Sequence, residues 1–60
     1  MNEQQLQDYL VEVLDWASNE DGMVKTIETF EDLGVMTNNK GLVIRMQDNS
    51  KFQIVIVKSR

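Results

Sequence analysis

No cysteine, histidine or proline occurs in this 60-residue sequence. Without cysteine the chain can form no disulfide and has no thiolate for catalysis or metal binding. Without histidine it lacks the commonest general base and the commonest ligand of transition metals. Catalysis would be left to carboxylates, lysines, hydroxyls and a single tyrosine. We therefore predict that the protein is not an enzyme, has no catalytic residues, and binds neither a metal nor a cofactor.

Long apolar runs are absent as well. No stretch approaches the ~18 residues of a membrane span, and the first ten residues lack the basic start and apolar centre of a signal peptide. We predict a protein of the cytoplasm that does not bind membranes. A chain of this size buries only about 60% of the surface that its unfolded form exposes. We expect one domain over residues 1–60. Very small domains are often stabilised by disulfides, by a metal or by a partner subunit, and this composition leaves the partner subunit as the available means.

Acids and bases are divided unequally between the two halves of the chain. Residues 1–32 carry nine acids and one base, for a net charge of −8. Residues 33–60 carry five bases and one acid, for a net charge of +4. The two halves can attract each other within one copy, or each can attract the complementary half of a second copy.

The first part of the chain has the apolar spacing of an amphipathic helix over residues 3–18. The side predicted to face the core consists of Leu6, Leu10, Val13, Leu14 and Ala17. Tyr9 and Trp16 lie on the flank of this side. We predict that they close the edge of the core; the alternative is that they form an anchoring patch for a partner.

Both ends of this helix have capping signals. Asn2 is the predicted N-cap, and Gln5, three residues later, completes a capping box. Gly22 is suited to a left-handed C-cap. These signals limit the helix to the segment between Asn2 and Gly22.

The remainder of the chain predicts three strands. Residues 23–29 are rich in β-branched and aromatic residues, which favours a strand, although the apolar spacing over 23–33 also fits a second helix. A turn near Glu31–Gly34 and a loop over 35–40 follow. The last twenty residues predict a hairpin of two strands, 41–47 and 51–58.

Matching the apolar faces of the hairpin sets its register. The predicted pairs are Met46 with Phe52, Ile44 with Ile54, and Leu42 with Ile56, around the loop Asp48-Asn49-Ser50. Asn49 tolerates a left-handed conformation better than Ser50, so the turn can slip by one position. The helix is expected to cover these six apolar side chains, with Ile54 among the most buried. The predicted fold class is α+β, with an N-terminal helix packed on a three-stranded antiparallel sheet in the order α-β-β-β.

The other face of the hairpin is partly apolar too. One helix cannot cover both faces of a sheet, so the valines there either face water, as good strand formers can, or meet another molecule. We predict an interaction surface that binds a second copy or a protein partner. Its residues are Val43, Arg45, Lys51, Val55 and Val57.

Two other functions fit parts of the charge pattern. A weak nucleic-acid-binding module would use the basic hairpin, through Arg45, Lys51, Lys58 and Arg60. An inhibitor that mimics DNA would use the acidic side of the helix, through Asp8, Glu12 and Asp15. Binding to nucleic acid is not the expected function, because the basic patch is small, the whole chain is acidic, and Phe52, the hairpin's aromatic residue, is expected to point inward rather than to stack on bases.

The second half of the chain also has a recognisable pattern, from Thr29 to Ser59. Its elements are Thr29-Phe30-Glu31-Asp32, Gly34-Val35, Thr37, Gly41-Leu42-Val43, Asp48 and Phe52-Gln53, followed by an apolar strand. This pattern resembles short proteins of unknown function that are encoded in bacteriophage and prophage genomes. It contains no catalytic signature, so the resemblance implies no site residues. What it does imply is a bacterial cytoplasm as the place of action.

Overall fold

A computed structural model describes residues 1–36 and 38–59. In chain order the elements are α1 (Glu3–Asp21), β1 (Val24–Thr29), α2 (Phe30–Leu33), β2 (Lys40–Met46) and β3 (Lys51–Ile56). The strands form one antiparallel sheet in the order β1-β2-β3. The α+β fold of order α-β-β-β is confirmed, and residues 24–29 are a strand rather than part of a second long helix. Thr37 and Arg60, which the sequence interpretation also used, lie outside the described ranges.

The predicted caps of α1 are confirmed. The backbone N–H of Gln5 donates to Asn2 Oδ1 at 2.8 Å, and the backbone N–H of Asn2 donates to Gln5 Oε1 at 2.9 Å. At the other end Gly22 adopts φ 66°, and its N–H donates to the Ser18 carbonyl at 2.7 Å. Because this left-handed cap follows Asp21, the helix continues past residue 18 and ends three residues later than predicted.

A single helical turn, α2, stands where the sequence predicts only a turn. The Thr29 hydroxyl oxygen accepts the backbone N–H of Asp32 at 3.1 Å and caps its start. Gly34 ends it in the left-handed conformation, at φ 70°. An ion pair between Glu31 and Lys40 joins α2 to the beginning of β2. This turn holds Phe30 in the core, where it is buried.

The hairpin loop lies one position earlier than predicted, at Gln47-Asp48-Asn49. The backbone N–H of Met46 donates to the Ser50 carbonyl at 2.8 Å, and that of Asn49 donates to the Met46 carbonyl at 3.0 Å. Asn49 has φ 73°, which is the left-handed conformation that ends a three-residue loop. The predicted loop would have required this conformation of Ser50. Instead the hydroxyl and N–H of Ser50 donate to the Asp48 carboxylate, which lowers the pKa of Asp48 below its ordinary value.

The strand pairing shifts with the loop. The observed pairs are Arg45–Lys51, Ile44–Phe52, Val43–Gln53, Leu42–Ile54, Gly41–Val55 and Lys40–Ile56. The predicted pairs Met46–Phe52, Ile44–Ile54 and Leu42–Ile56 are therefore wrong. Because the shift is two residues, every side chain keeps its predicted face of the sheet.

The side of α1 that meets the sheet is rotated relative to the predicted one. Four of its five predicted residues are half-buried, namely Leu6, Leu10, Leu14 and Ala17. Gln7 is only 2% exposed, whereas Val13, which was predicted to face the core, is 40% exposed. Two polar contacts hold the helix in this rotation. Gln7 Oε1 accepts the backbone N–H of Gly41 at 3.1 Å, and Ser18 Oγ donates to the Val24 carbonyl at 3.1 Å. Since these anchors are about three turns apart, they share one side of the helix.

α1 packs on β1 and β2. It covers the face that carries Leu42 and Ile44, which are 0% and 6% exposed. The opposite face is only partly open to solvent. Arg45 and Glu28 meet there with both side chains accessible, Arg45 Nε lying 3.8 Å from Glu28 Oε1, whereas Phe30 covers the part of that face near Gly41. The helix axis follows the strands, since Gln7 is fixed at the start of β2 and Ser18 at the start of β1.

β3 is an edge strand that α1 leaves partly uncovered. Ile54, which was predicted among the most buried residues, is 36% exposed. Phe52, predicted to point inward under the helix, is exposed as well, and of the strand's apolar residues Ile56 alone is buried. A helix about 10 Å across covers two strands that lie about 4.8 Å apart and leaves the third open. The expectation that one helix would cover the whole hairpin face is therefore wrong.

Candidate interaction surface

The largest group of exposed apolar side chains in the sheet belongs to the last strand and the residue after it. We call this group the β3 surface, and it consists of Phe52, Ile54, Val55 and Val57. Phe52 and Ile54 lie on the face of the sheet on which α1 packs, while Val55 lies on the opposite face. Val55 and Val57 are exposed, in agreement with their predicted place in an interaction surface. Phe52 and Ile54 were missed because the sequence interpretation put them under the helix.

Val43 does not belong to this surface. It is 6% exposed, so its predicted role at an interaction surface is wrong. Val43 lies on the central strand, between Glu28 and Gln53 of the neighbouring strands. The ring of the buried Phe30 lies where a side chain of Gly41 would point, two residues along the same face. Val43 is thus covered within one copy of the chain and is not available to a partner.

The two basic residues of the predicted surface, Arg45 and Lys51, are both exposed and occupy directly opposite positions on β2 and β3. Like charges at opposite positions repel each other. Arg45 is compensated by Glu28 at 3.8 Å, whereas Lys51 has no acidic neighbour on its own strand. The basic patch is therefore weaker than the sequence count suggests, which reduces the support for nucleic-acid binding. Phe52 could stack on a base, but it lies on the opposite face from Arg45 and Lys51.

A second exposed apolar group lies on α1 and consists of Tyr9, Val13 and Trp16. Their spacing places them on one flank of the helix. The other flank, with Glu12 and Asp15, lines a cleft against β1, so the apolar flank faces the side of the sheet where β3 lies. The prediction that Tyr9 and Trp16 close the edge of the core is wrong, because both side chains are more than half exposed. The alternative, an anchoring patch, stays a prediction.

The cleft between α1 and β1 has a volume of about 250 Å³. Glu12 and Asp15 contribute carboxylates, Lys25 contributes an amine, and the hydroxyl oxygen of Thr26 is buried without a hydrogen-bond partner among the described residues. Ligand pockets of proteins usually enclose about 300–1,000 Å³, and this cleft is smaller and open at the edge of the sheet. Glu12 and Asp15 are both exposed, so their carboxylates contribute charge to the rim of an open cleft rather than to an enclosed reaction site.

Residues 1–36 and 38–59 hold no group of three or more acidic, histidine or cysteine side chains that could bind a metal ion. No helix in these ranges combines the length and apolar character that crossing a bilayer demands.

Comparison with protein-family models, with curated proteins and with solved structures finds no match to this chain. The geometry of its own residues therefore carries the functional argument.

Proposed function

We propose that this chain is a small non-enzymatic interaction protein that associates with a second copy of itself through the β3 surface. The proposal includes an origin in a bacteriophage or prophage and a role in the bacterial cytoplasm, both supported by the sequence pattern over residues 29–59. The observation that carries it is the uncovered strand: Phe52, Ile54 and Val55 expose apolar area on both faces of β3. A strand that is apolar on both faces is typical of the interior of a sheet rather than of its edge.

Contiguous exposed apolar area favours interaction more than scattered exposed residues do. The four side chains of the β3 surface lie within six consecutive residues. Lys51 is the one charged residue of the strand and lies at its beginning. The apolar side chains therefore follow one another along the edge of the sheet, on both of its faces, without an intervening charge, so burying them would leave no unpaired charge in the centre.

The energetics allow a weak dimer. Burying the exposed half of each side chain completely would contribute at most about 1 kcal/mol, or about 8 kcal/mol for the eight side chains of a pair. Association costs about 4–15 kcal/mol in lost freedom, and hydrogen bonds between the copies add about 0.5–1.5 kcal/mol each. We expect a dissociation constant between about 10⁻⁵ and 10⁻³ M.

Sedimentation equilibrium over a wide concentration range tests the proposal. The wild-type chain should shift from its monomer mass of 7.0 kDa towards twice that mass as the concentration rises. Val55→Lys should remain a monomer at every concentration, because it places a charge in the centre of the β3 surface. The matched control is Val13→Lys, the same change at an exposed valine on α1, which should associate as the wild type does.

Two results would contradict the proposal. A wild-type mass that stays at 7.0 kDa up to about 1 mM, where dimers of about 4 kcal/mol become populated, would exclude self-association. Association that Val13→Lys abolishes and Val55→Lys does not would assign the interaction to the flank of α1 instead.

A further inference from the structure

The outer edge of β3 has backbone groups without partners in the sheet. Met46 donates its N–H to Ser50, which makes this a hydrogen-bonded pair of the β2–β3 ladder. Hydrogen-bonded and non-hydrogen-bonded pairs alternate along an antiparallel ladder. Phe52, Ile54 and Ile56 therefore direct their N–H and C=O groups towards β2, whereas Lys51, Gln53 and Val55 direct theirs outward. These outward groups are a template for another strand.

The opposite edge of the sheet, β1, is obstructed. The pairing of β1 with β2 is interrupted at Lys25, where the register shifts between Val24 and Thr26. Such bulges twist an edge away from further pairing. The Ser18 hydroxyl donates a hydrogen bond to the carbonyl oxygen of Val24, so this acceptor is already used within the chain. Among the described residues, β3 has neither a bulge nor such a side-chain hydrogen bond to its backbone, and its pairing with β2 is regular from Arg45–Lys51 to Lys40–Ile56. The sheet therefore has a single regular open edge.

We propose that two copies pair β3 with β3 in antiparallel orientation about a two-fold axis at Ile54, which joins two three-stranded sheets into one continuous sheet. The proposal rests on the proposed function and specifies how self-association occurs. Because the β1 edges are obstructed, the assembly closes as a dimer and does not extend into a fibre. A two-fold axis perpendicular to the sheet keeps both α1 helices on the same face.

The sequence of the strand fits its own antiparallel copy in this register. Ile54 lies opposite the second Ile54, Phe52 opposite Ile56, and Gln53 opposite Val55. Lys51 lies opposite Val57, at the two far ends of the paired segment, so no like charges meet. The outward N–H and C=O groups of Gln53 meet those of Val55 in the other copy, as a hydrogen-bonded pair requires.

The neighbouring registers are less favourable. A two-fold axis at Gln53 would bring the segment after Ile56 against the hairpin loop, where Asn49 turns the chain in a left-handed conformation. An axis at Val55 would leave both Lys51 and Phe52 opposite residues beyond the end of the strand, whereas the axis at Ile54 leaves only Lys51 in that position. The axis at Ile54 is the register that brings all four residues of the β3 surface into the paired segment.

Disulfide cross-linking tests the register, and the natural absence of cysteine makes single-cysteine variants unambiguous. In Ile54→Cys the two sulfur atoms would meet across a non-hydrogen-bonded pair, with Cα atoms about 4.5 Å apart, which suits a disulfide. We expect mild oxidation to convert most of this variant into a covalent dimer. The matched control is Val57→Cys, which is more exposed but lies ~20 Å from its copy in this register. It should cross-link at least tenfold more slowly.

Gln53→Pro provides a second test that does not depend on thiol chemistry. Proline removes the outward N–H of Gln53 and leaves the hydrogen bonds to β2 intact, so the monomer should stay folded. We expect the dissociation constant to rise at least about tenfold, since each copy loses a donor at the interface.

The outcomes separate this inference from the proposed function. A wild type that sediments as a monomer would overturn both, and the open edge would then be left to a strand from another protein. A wild type that dimerises, while Ile54→Cys cross-links no faster than Val57→Cys and Gln53→Pro still dimerises normally, would overturn the β3 pairing alone.

Discussion

Replacing Gly41 with alanine is expected to destabilise the fold by about 3 kcal/mol or more, because a Cβ atom at this position has no space. It would lie 2.5 Å from the carbonyl oxygen of Ile54 and even closer to the ring of Phe30. The carbonyl belongs to the neighbouring strand and the ring is buried, so neither can move without disturbing the sheet. A domain of this size has roughly 3–9 kcal/mol of stability in total, and the variant should be largely unfolded. Circular dichroism with urea denaturation measures the effect.

Gly34→Ala is the matched control for this variant. Nothing lies within 4 Å of a Cβ at Gly34, but its φ is +70°, so alanine there should cost only the strain of the left-handed conformation, about 1–2 kcal/mol. If Gly41→Ala proved no more destabilising than Gly34→Ala, the close packing of β2 against Phe30 and β3 would be contradicted.

The second large effect is expected at Leu42, which is fully buried beneath α1. Leu42→Ala should reduce the free energy of unfolding by about 2–5 kcal/mol through lost burial and the cavity that remains. Ile54 is the cross-strand neighbour of Leu42, yet Ile54→Ala should cost only about 1–2 kcal/mol at concentrations where the chain is monomeric, because Ile54 is already partly exposed.

Comparing these two variants by urea denaturation tests where α1 lies on the sheet. The contrast between Leu42 and Ile54 arises because α1 covers β2 and leaves β3 open. Equal losses of stability at the two positions would mean that the helix covers both strands, and the β3 surface would then not be available to a partner.

Local signals in the sequence were sufficient for α1 and the three strands, but not for the short helix α2. The apolar spacing of α1, the Asn2–Gln5 capping box and the left-handed Gly22 act over a few residues, so they can be recognised without knowledge of the tertiary structure. The three strands could be predicted for the same reason. The hairpin register was missed by two residues because the choice of turn depended on the conformation of one residue, Asn49.

The rotation of α1 and the exposure of β3 could not be predicted in this way. Gln7 and Ser18 are polar, so an analysis of apolar spacing places them on the solvent side, but their contacts with Gly41 and Val24 turn them towards the sheet. A hydrogen bond from a helix side chain to the backbone of a strand leaves no periodic signal in the sequence, whether the two residues are 6 or 34 positions apart.

The candidate surface was predictable only in part. Val55 and Val57 were recognised because they lie on the face that a single helix does not cover. Val43 was assigned wrongly, since the burial contributed by Phe30 depends on a short helix that the sequence did not indicate. Phe52 and Ile54 were missed because their exposure depends on which two of the three strands the helix covers.

Amide hydrogen exchange at Gln53 and Val55, measured at low and high protein concentration, tests the central claim most directly. In the monomer both N–H groups point outward from the edge of the sheet and exchange rapidly with water. If β3 pairs with β3, both should become protected as the concentration rises, while Phe52 and Ile54, whose N–H groups already face β2, should change less. Rapid exchange at Gln53 and Val55 that does not depend on concentration would contradict self-association through this strand.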